Sequence, residues 1–344
     1  MKISELDFYY PEDLVATERV SPSRILLAEK PREITRAELL KLFSPGDLWV
    51  VNETKVLKRR VFTKEGLEIL FIKPVVSNPD GNTAGFTDWE VLCPSSRWKQ
   101  GTKQTVGTVS FELIERGRPQ KLRASEPLAE DFFEHAGELP LPPYIQKARG
   151  ERHTRTDDDH EYQSLWAKTG GSLAAPTASF HFDQTFVDDL KACGVEIATV
   201  TLHVGLGTFL PVTVDHLDDH VMHAEVAEVP AVTRKKIEET KTRGGRVIAV
   251  GTTVTRTLEA MALGHFSESL NGDLHGETSL LIRPGHVWRV VDVLLTNFHQ
   301  PRSTLFALVA AFSNLEHVRR VYAHAIEQKF RLFSYGDLSV WFRV

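Results

Sequence analysis

The run 195–204, VEIATVTLHV, constrains this chain more than any other stretch. It is rich in Val, Ile and Thr and reads as a buried strand. It ends in His203, followed by Gly205, Gly207 and Thr208. A buried strand that stops in a histidine and two glycines leaves a titratable ring and free backbone N–H groups at one sheet edge, where open α/β sheets bind their ligands. The segment 172–182 before it is small, polar and broken by Pro176, a poor helix and a poor strand. Between them, Phe186, Val187 and Leu190 have helical spacing, and Gly194 stops the helix.

Three more apolar strands end the same way. Residues 48–51 lead into Asn52 and Thr54, residues 246–250 into Gly251, Thr252 and Thr253, and residues 290–295 into Asn297 and His299. After Gly251 the run 254–261 reads as a helix, so its N-terminus is placed to hold an anion or a polar group. Ser303 or Thr304 caps a further helix with Leu305, Leu308, Val309 and Phe312 on one face. Helices are also expected over 232–240 and 315–328. Four polar clusters, each directly after an apolar strand, predict one pocket at one end of one sheet.

Between these α/β parts the character changes. Short β-like runs at 67–72, 89–92 and 108–114 are separated by NPDGN, SSRWKQG and ERGRPQ turns, which suggests a small β-barrel or sandwich. Leu139-Pro140-Leu141-Pro142-Pro143-Tyr144 reads as a stiff connector, and the charged stretch after it as a surface loop. The expected organisation is a large α/β domain, a sheet or barrel-like arrangement with helices outside, from residues 1–60 and 141–344. An inserted small β-barrel domain covers 61–140.

Charge is distributed unevenly. The chain carries net −5, yet 58–123 holds twelve Lys/Arg against seven Asp/Glu. A basic segment on an acidic body suggests a face for a polyanion, although solvated lysines on a strand-rich surface give the same count. No apolar run approaches the roughly 20 residues of a membrane span. MKISELDFYYPEDL lacks the pattern of a secretory signal. Cys93 and Cys193 have no metal-site spacing and fit a reducing compartment, so a cytoplasmic location is expected.

Several chemistries are not signalled: there is no G-x-G-x-x-G after a strand, no Walker loop and no G-x-S-x-G elbow. His216, His220, His223 and Glu225 resemble a metal set in spacing, since His216 and His220 are four apart. Their segment is short, however, and His220 and His223 fall on different faces of a strand. His135, His153, His265, His275, His317 and His324 lie in charged or loop-like surroundings and default to structural roles.

GSLAAPTASFHF, TLHVGLGTFLPV, HVMHAE, AVGTTVTRTLE, VVDVLLTNFHQPRSTLFALVAAF and FSYGD, in this order, resemble the S-adenosylmethionine:tRNA ribosyltransferase-isomerases of queuosine biosynthesis. PGDLWVVNETKVL and LPLPPYI fit the same family. The resemblance covers about 43–337 and is loose over the basic β segment. It implies an α/β domain interrupted by a small β-barrel. It implies an enzyme that moves the ribosyl part of S-adenosylmethionine onto 7-aminomethyl-7-deazaguanine at the wobble position of a tRNA anticodon loop, rearranges it to the epoxycyclopentane of epoxyqueuosine, and releases adenine and methionine. S-adenosylmethionine is then a co-substrate. No permanently bound cofactor, no metal and no membrane are expected.

That chemistry assigns expected roles. An imidazole suits deprotonation beside a sulfonium, deprotonation of the attacking amine, or protonation of departing adenine. His203 and His181 are the leading candidates for base, with His223 and His299 behind them. Gly205, Gly207, Thr208, Thr252 and Asn297 are expected to bind substrate, and Arg256 to pair with the methionine carboxylate. Arg59, Arg60, Arg97, Lys99, Arg149 and Arg152, with Arg155, are expected to contact tRNA phosphates. Departures from the family pattern at Ser179-Phe180, Val254-Thr255, Arg283 and Gln300 leave His181, His203, Thr252, Arg256, Asn297 and His299 in place. They leave room for a paralogue acting on a different acceptor. A metal-dependent hydrolase using His216, His220 and His223 and a non-catalytic tRNA-binding protein are the other classes.

Overall fold

Four short strands that are apolar on both faces need cover on both faces, and they receive it. A computed structural model of the chain describes residues 1–75, 85–94, 96–98, 101–209 and 212–343, with the side chains of 208 and 209 left out. The strands Glu196–Leu202, Leu48–Asn52, Val247–Val250 and Val293–Asn297 are mutually parallel and adjacent. All of Leu48–Asn52 and Val247–Val250 is buried. Alternation along each strand sends Leu48, Val50, Val247, Ala249 and Leu294 into one core layer. Trp49, Val51, Ile248, Val250, Val293 and Leu295 enter the other.

Each layer is closed by helices. Val254 and Leu258 of the helix Thr252–Ala262, Ile237 of Ala231–Thr242, and the apolar sides of Thr304–Phe312 and Leu315–Glu327 pack on the first face. Phe186 and Leu190 of Gln184–Ala192 pack on the second. Ser303 is the N-cap of Thr304–Phe312, and its hydroxyl accepts from the Phe306 N–H. Antiparallel and short strands extend the sheet on both sides to ten. The full order is Ser267–Glu268, Leu274–Thr278, Glu225–Val229, Glu196–Leu202, Leu48–Asn52, Val247–Val250, Val293–Asn297, Leu338–Phe342, Ile25–Leu27, Arg32–Ile34. The fold is a mixed α/β architecture with a large open sheet and helices outside.

The second sheet is antiparallel and has seven strands, in the order Gly137–Glu138, Arg60–Phe62, Glu68–Pro74, Phe86–Leu92, Gln120–Leu128, Val109–Glu115, Lys103–Val106. It curls around Phe71, Trp89, Phe111 and Phe133. The curl is tight enough for the Lys64 N–H, just past Arg60–Phe62, to donate to the Thr105 carbonyl on the far edge strand at 2.8 Å. The NPDGN turn, 78–82, lies outside the described residues. The segment from 139 departs from the expected connector: Pro143 opens a helix, Pro143–Arg149, because a proline at the first helical position loses no hydrogen bond.

Candidate active site

The carboxyl ends of the four parallel strands share one edge, and a cavity of about 560 Å³ opens there. Its wall contains Gly251, Thr252, Thr253 and Arg256 from one helix start, and Thr296 to Thr304 from the turn after Val293–Asn297. Val204, Gly207, His220, Met222, His223 and Glu225 form another side, and Tyr144, Tyr162, Phe298 and Phe333 an aromatic one.

Gly251 adopts φ 97°, a left-handed conformation that a side chain would strain, and this turns the chain sharply from strand into the helix Thr252–Ala262. The Thr255 N–H is the first of the helix to bond back, to the Gly251 carbonyl. The amides of Thr252, Thr253 and Val254 therefore have no helical acceptor and carry the positive end of the helix dipole. Arg256 lies one turn further on, on the same side. Its Nη1 donates to Glu225 Oε2 at 2.5 Å and its Nε to the Leu280 carbonyl at 3.3 Å, whereas Nη2 is buried without a partner among the described residues. Glu225 Oε1 accepts the Gly205 N–H at 3.1 Å.

The four candidate histidines divide into two pairs. His299 and His223 line the cavity; His203 and His181, the leading candidates for base, do not. The His203 ring is stacked under Gly171, where a Cβ would lie 2.7 Å from it, and its Nδ1 meets Thr54 Oγ1 at 2.7 Å. Burial pushes its pKa down. His181 sits behind Asn297, whose Nδ2 donates to its Nε2 at 3.1 Å, so its Nδ1–H donates to Ser23 Oγ at 2.6 Å. Burial, then Arg19 and Arg331, press its pKa down to about 3. Asn297 Oδ1 accepts from Thr177 Oγ1 at 2.9 Å, so both ends of the amide help to hold the wall. His299 Nε2 meets Thr296 Oγ1 at 2.9 Å, and its backbone N–H donates to the Tyr322 hydroxyl. Burial brings it to about 3 as well. His223 is exposed at the mouth, where a Cβ on Gly207 would lie 3.3 Å from its ring.

Among the expected binding residues, Thr252, Arg256, Asn297 and Gly207 reach the cavity. The Gly205 amide is occupied by Glu225, and the Thr208 side chain lies outside the described residues. Asn52 and Thr54 form the layer behind: Asn52 Nδ2 donates to the Leu202 carbonyl and to Thr253 Oγ1, tying three strand ends together. His216, His220 and His223 do not converge; among the described residues, the His/Cys/Asp/Glu ligand atoms close enough to share an ion are those of Glu228, Asp273 and His275.

A family model described as "Queuosine biosynthesis protein" matches residues 3–340. The chain belongs to this family. It is similar, at 38% identity, to the S-adenosylmethionine:tRNA ribosyltransferase-isomerase of Jannaschia sp. (strain CCS1), with 99% of this chain and 98% of that protein covered. A protein of the same name from Staphylococcus epidermidis (strain ATCC 12228 / FDA PCI 1200) is also 38% identical, with 98% of each covered. The crystal structure of S-adenosylmethionine tRNA ribosyltransferase from Thermotoga maritima is similar at 29% identity and a TM-score of 0.53, covering 98% of this chain and 99% of that one.

Within this queuosine biosynthesis family member, three of the arginines expected on phosphates are placed elsewhere. Arg59 is buried against Glu130 and the Phe133 ring, and Arg60 is buried with Glu68, Gln146 and the Arg152 carbonyl. Arg149 grips Asp158 with two bonds of 2.7 and 2.8 Å, both side chains almost fully buried. All three guanidinium groups are buried beside internal carboxylates, although Arg60 Nη1 makes no hydrogen bond among the described residues, so none is presented at the surface where a phosphate would approach. Arg97 and Arg152 are exposed, Arg155 is paired with Glu151, and Lys99 lies outside the described residues. Glu225, weighed from its spacing only as a metal ligand, is instead the partner of Arg256. Tyr144, whose hydroxyl bonds Ser334, carried no signal beyond the LPLPPYI motif.

Proposed function

We propose that the chain transfers and isomerises the ribosyl part of S-adenosylmethionine onto tRNA. The acceptor in this reading is 7-aminomethyl-7-deazaguanine at the wobble position of the anticodon loop. The ribose becomes an epoxycyclopentane, giving epoxyqueuosine, and adenine and methionine leave. S-adenosylmethionine is consumed as co-substrate, and the reading needs no resident cofactor or metal. The observation that carries it is the cavity of about 560 Å³ at the carboxyl edge of the parallel strands. That is room for a molecule of this size. The cavity sits in a chain 38% identical, over 99% of its length, to a protein bearing the name of this activity.

The chemistry asks for three proton movements. The carbon beside the sulfonium must lose a proton, the attacking amine must be neutral, and departing adenine must be protonated or hydrogen-bonded. His299 and His223 are the imidazoles that supply these steps in this reading, because they border the cavity. His299, kept neutral by burial, is an acceptor. His203 and His181 act one layer behind, holding Thr54 and Asn297. Thr252, Gly207 and the free amides of the helix start hold polar groups of the donor. Residues 1–60 and 141–344 form the catalytic domain and 61–140 an inserted β domain, with Arg97, Arg152 and Lys99 meeting the tRNA backbone in the cytoplasm.

The test is adenine release from S-adenosylmethionine, followed chromatographically, with tRNA carrying the aminomethyl-deazaguanine and with the same tRNA carrying guanine. Release with the first alone is expected. Equal release with both overturns the acceptor, and release with neither overturns the reading.

A further inference from the structure

One buried group in the cavity wall has no partner among the described residues. Arg256 and Glu225 are each 6% exposed. Arg256 spends Nη1 on Glu225 and Nε on the Leu280 carbonyl, and its Nη2 is left with N–H donors and nothing to receive them. A charged donor taken out of water without an acceptor is costly, and Arg256 lines the cavity, so an anion admitted there would offset that cost. The amides of Thr252, Thr253 and Val254, one turn earlier on the same helix, add donors that have no helical acceptor, and the positive helix end. Beside this cationic corner stands an anionic one. The Glu225 carboxylate has about four lone-pair positions. Arg256 and the Gly205 N–H take one on each oxygen, so acceptor capacity remains.

We propose that Glu225 and Arg256 form a clamp for the α-amino-acid end of the donor. The α-carboxylate docks on Arg256 Nη2 and the free amides, and the α-ammonium docks on Glu225. A zwitterion that carries both charges on one carbon matches a wall that presents both opposite charges side by side. The Glu225–Arg256 contact holds the guanidinium, and the Gly205 N–H holds the other carboxylate oxygen, so the subsite is organised before the ligand arrives. Neither charge on the wall is left uncompensated when the zwitterion is bound, which is the condition for burying charged groups. The proposal rests on S-adenosylmethionine being the donor, but it specifies what that reading does not: the recognition of the amino group, and Glu225 as the residue that reads it.

Calorimetric titration of the full chain tests this with four ligands: S-adenosylmethionine, its decarboxylated analogue, its deaminated analogue, and 5′-methylthioadenosine, which lacks the amino-acid end. Wild type should bind the decarboxylated and deaminated compounds about 10- to 100-fold more weakly than S-adenosylmethionine, the scale of one charge-assisted hydrogen bond each. Glu225→Gln should weaken S-adenosylmethionine by a similar factor and leave 5′-methylthioadenosine unchanged, and Glu225→Asp should recover part of the loss. Equal loss for both ligands in Glu225→Gln would make Glu225 a structural support and overturn the clamp. So would a wild type indifferent to the ligand's ammonium, a comparison that needs no variant to fold. Failure of the donor reading shows differently. If wild type binds free methionine in a Glu225-dependent way but not S-adenosylmethionine, the clamp stands and the donor is wrong. If it binds neither, both fall.

Discussion

Acidification by one pH unit is the perturbation that most directly reads the buried histidines in and behind the cavity wall. His181 and His299 are both held near 3 in the folded chain, by burial first. A free imidazole titrates at about 6.5. Between those values the unfolded chain takes up protons that the folded one refuses, so stability falls as pH falls, and it is fully present only above about 6.5. From pH 6.5 to 5.5 each ring that stays neutral loses about 1 kcal/mol, and the two together about 2 kcal/mol. The figure requires only that both rings remain neutral at pH 5.5, so it is the same for a folded value of 3 or 4. His203 and His220 are shifted the same way by burial and add to the loss. The carboxylates of Glu38 and Asp183, held near 2 mainly by their hydrogen bonds, titrate far below this window. The assay is urea unfolding at pH 5.5, 6.0 and 6.5 for wild type, His181→Gln and His299→Gln. Each variant should be less stable at pH 6.5 yet lose about 1 kcal/mol less than wild type across the window. The difference between variant and wild type removes the other titrating groups. A wild-type loss under about 0.5 kcal/mol would mean that the rings take up protons in place, and the argument from burial would fail.

Three further outcomes are expected. Gly171→Ala places a methyl 2.7 Å from the His203 ring at φ 152°; it should cost about 1–3 kcal/mol in thermal or urea unfolding and reduce turnover, and an unchanged melt would show that the ring swings aside freely. Asp158→Ala strands the buried Arg149 and should destabilise by about 3–5 kcal/mol, read by urea midpoint, with a loss below about 1 kcal/mol refuting the pair's isolation from water. Arg97→Gln with Arg152→Gln should lower the slope of log K against log salt for tRNA by about 1–2, whereas Arg59→Gln should reduce stability and leave that slope alone. The reverse pattern would return the buried arginines to the tRNA footprint.

The centre of the fold was legible because buried parallel strands write themselves as short apolar runs, and the expected strands at 48–51 and 246–250 coincide with Leu48–Asn52 and Val247–Val250 to within a residue or two. The periphery was not. Leu338–Phe342 lies within a chain end of seven residues, LSVWFRV, and becomes an interior strand only because Ile25–Leu27 arrives on its far side from more than three hundred residues away in sequence. Glu225–Val229 follows a stretch whose histidines suggested a helix face, and it is a strand because Leu274–Thr278 pairs along its whole length. Both depend on partners that no local pattern names. Charge misled for the same reason. Arg59 and Arg60 count as two cations in a basic segment, but their fate is set by Glu130, 71 residues away, and by Glu68 and Gln146.

The site separates into what position along an element decides and what direction across it decides. Arg256 follows Thr252 by four residues, so one helix face carries both, and their meeting at the cavity was implicit in the spacing. For a residue just past a strand end, spacing gives the edge but not the side. His203 and His299 each follow a strand of the same parallel set, within two residues of its end. His299 lines the cavity, and the His203 ring turns under Gly171. The decisive feature for His203 is the missing side chain at Gly171, a residue that reads from sequence as a flexible turn and that the structure uses as a seat for an imidazole. Glu225 makes the complementary point. Its neighbours His220 and His223 drew attention to metal chemistry, yet its carboxylate spans Arg256 and the Gly205 amide. A buried carboxylate so engaged in a ligand cavity is not a free metal ligand. It neutralises an arginine that is itself buried, and it occupies Nη1 of that guanidinium, while Nη2 has no hydrogen bond among the described residues.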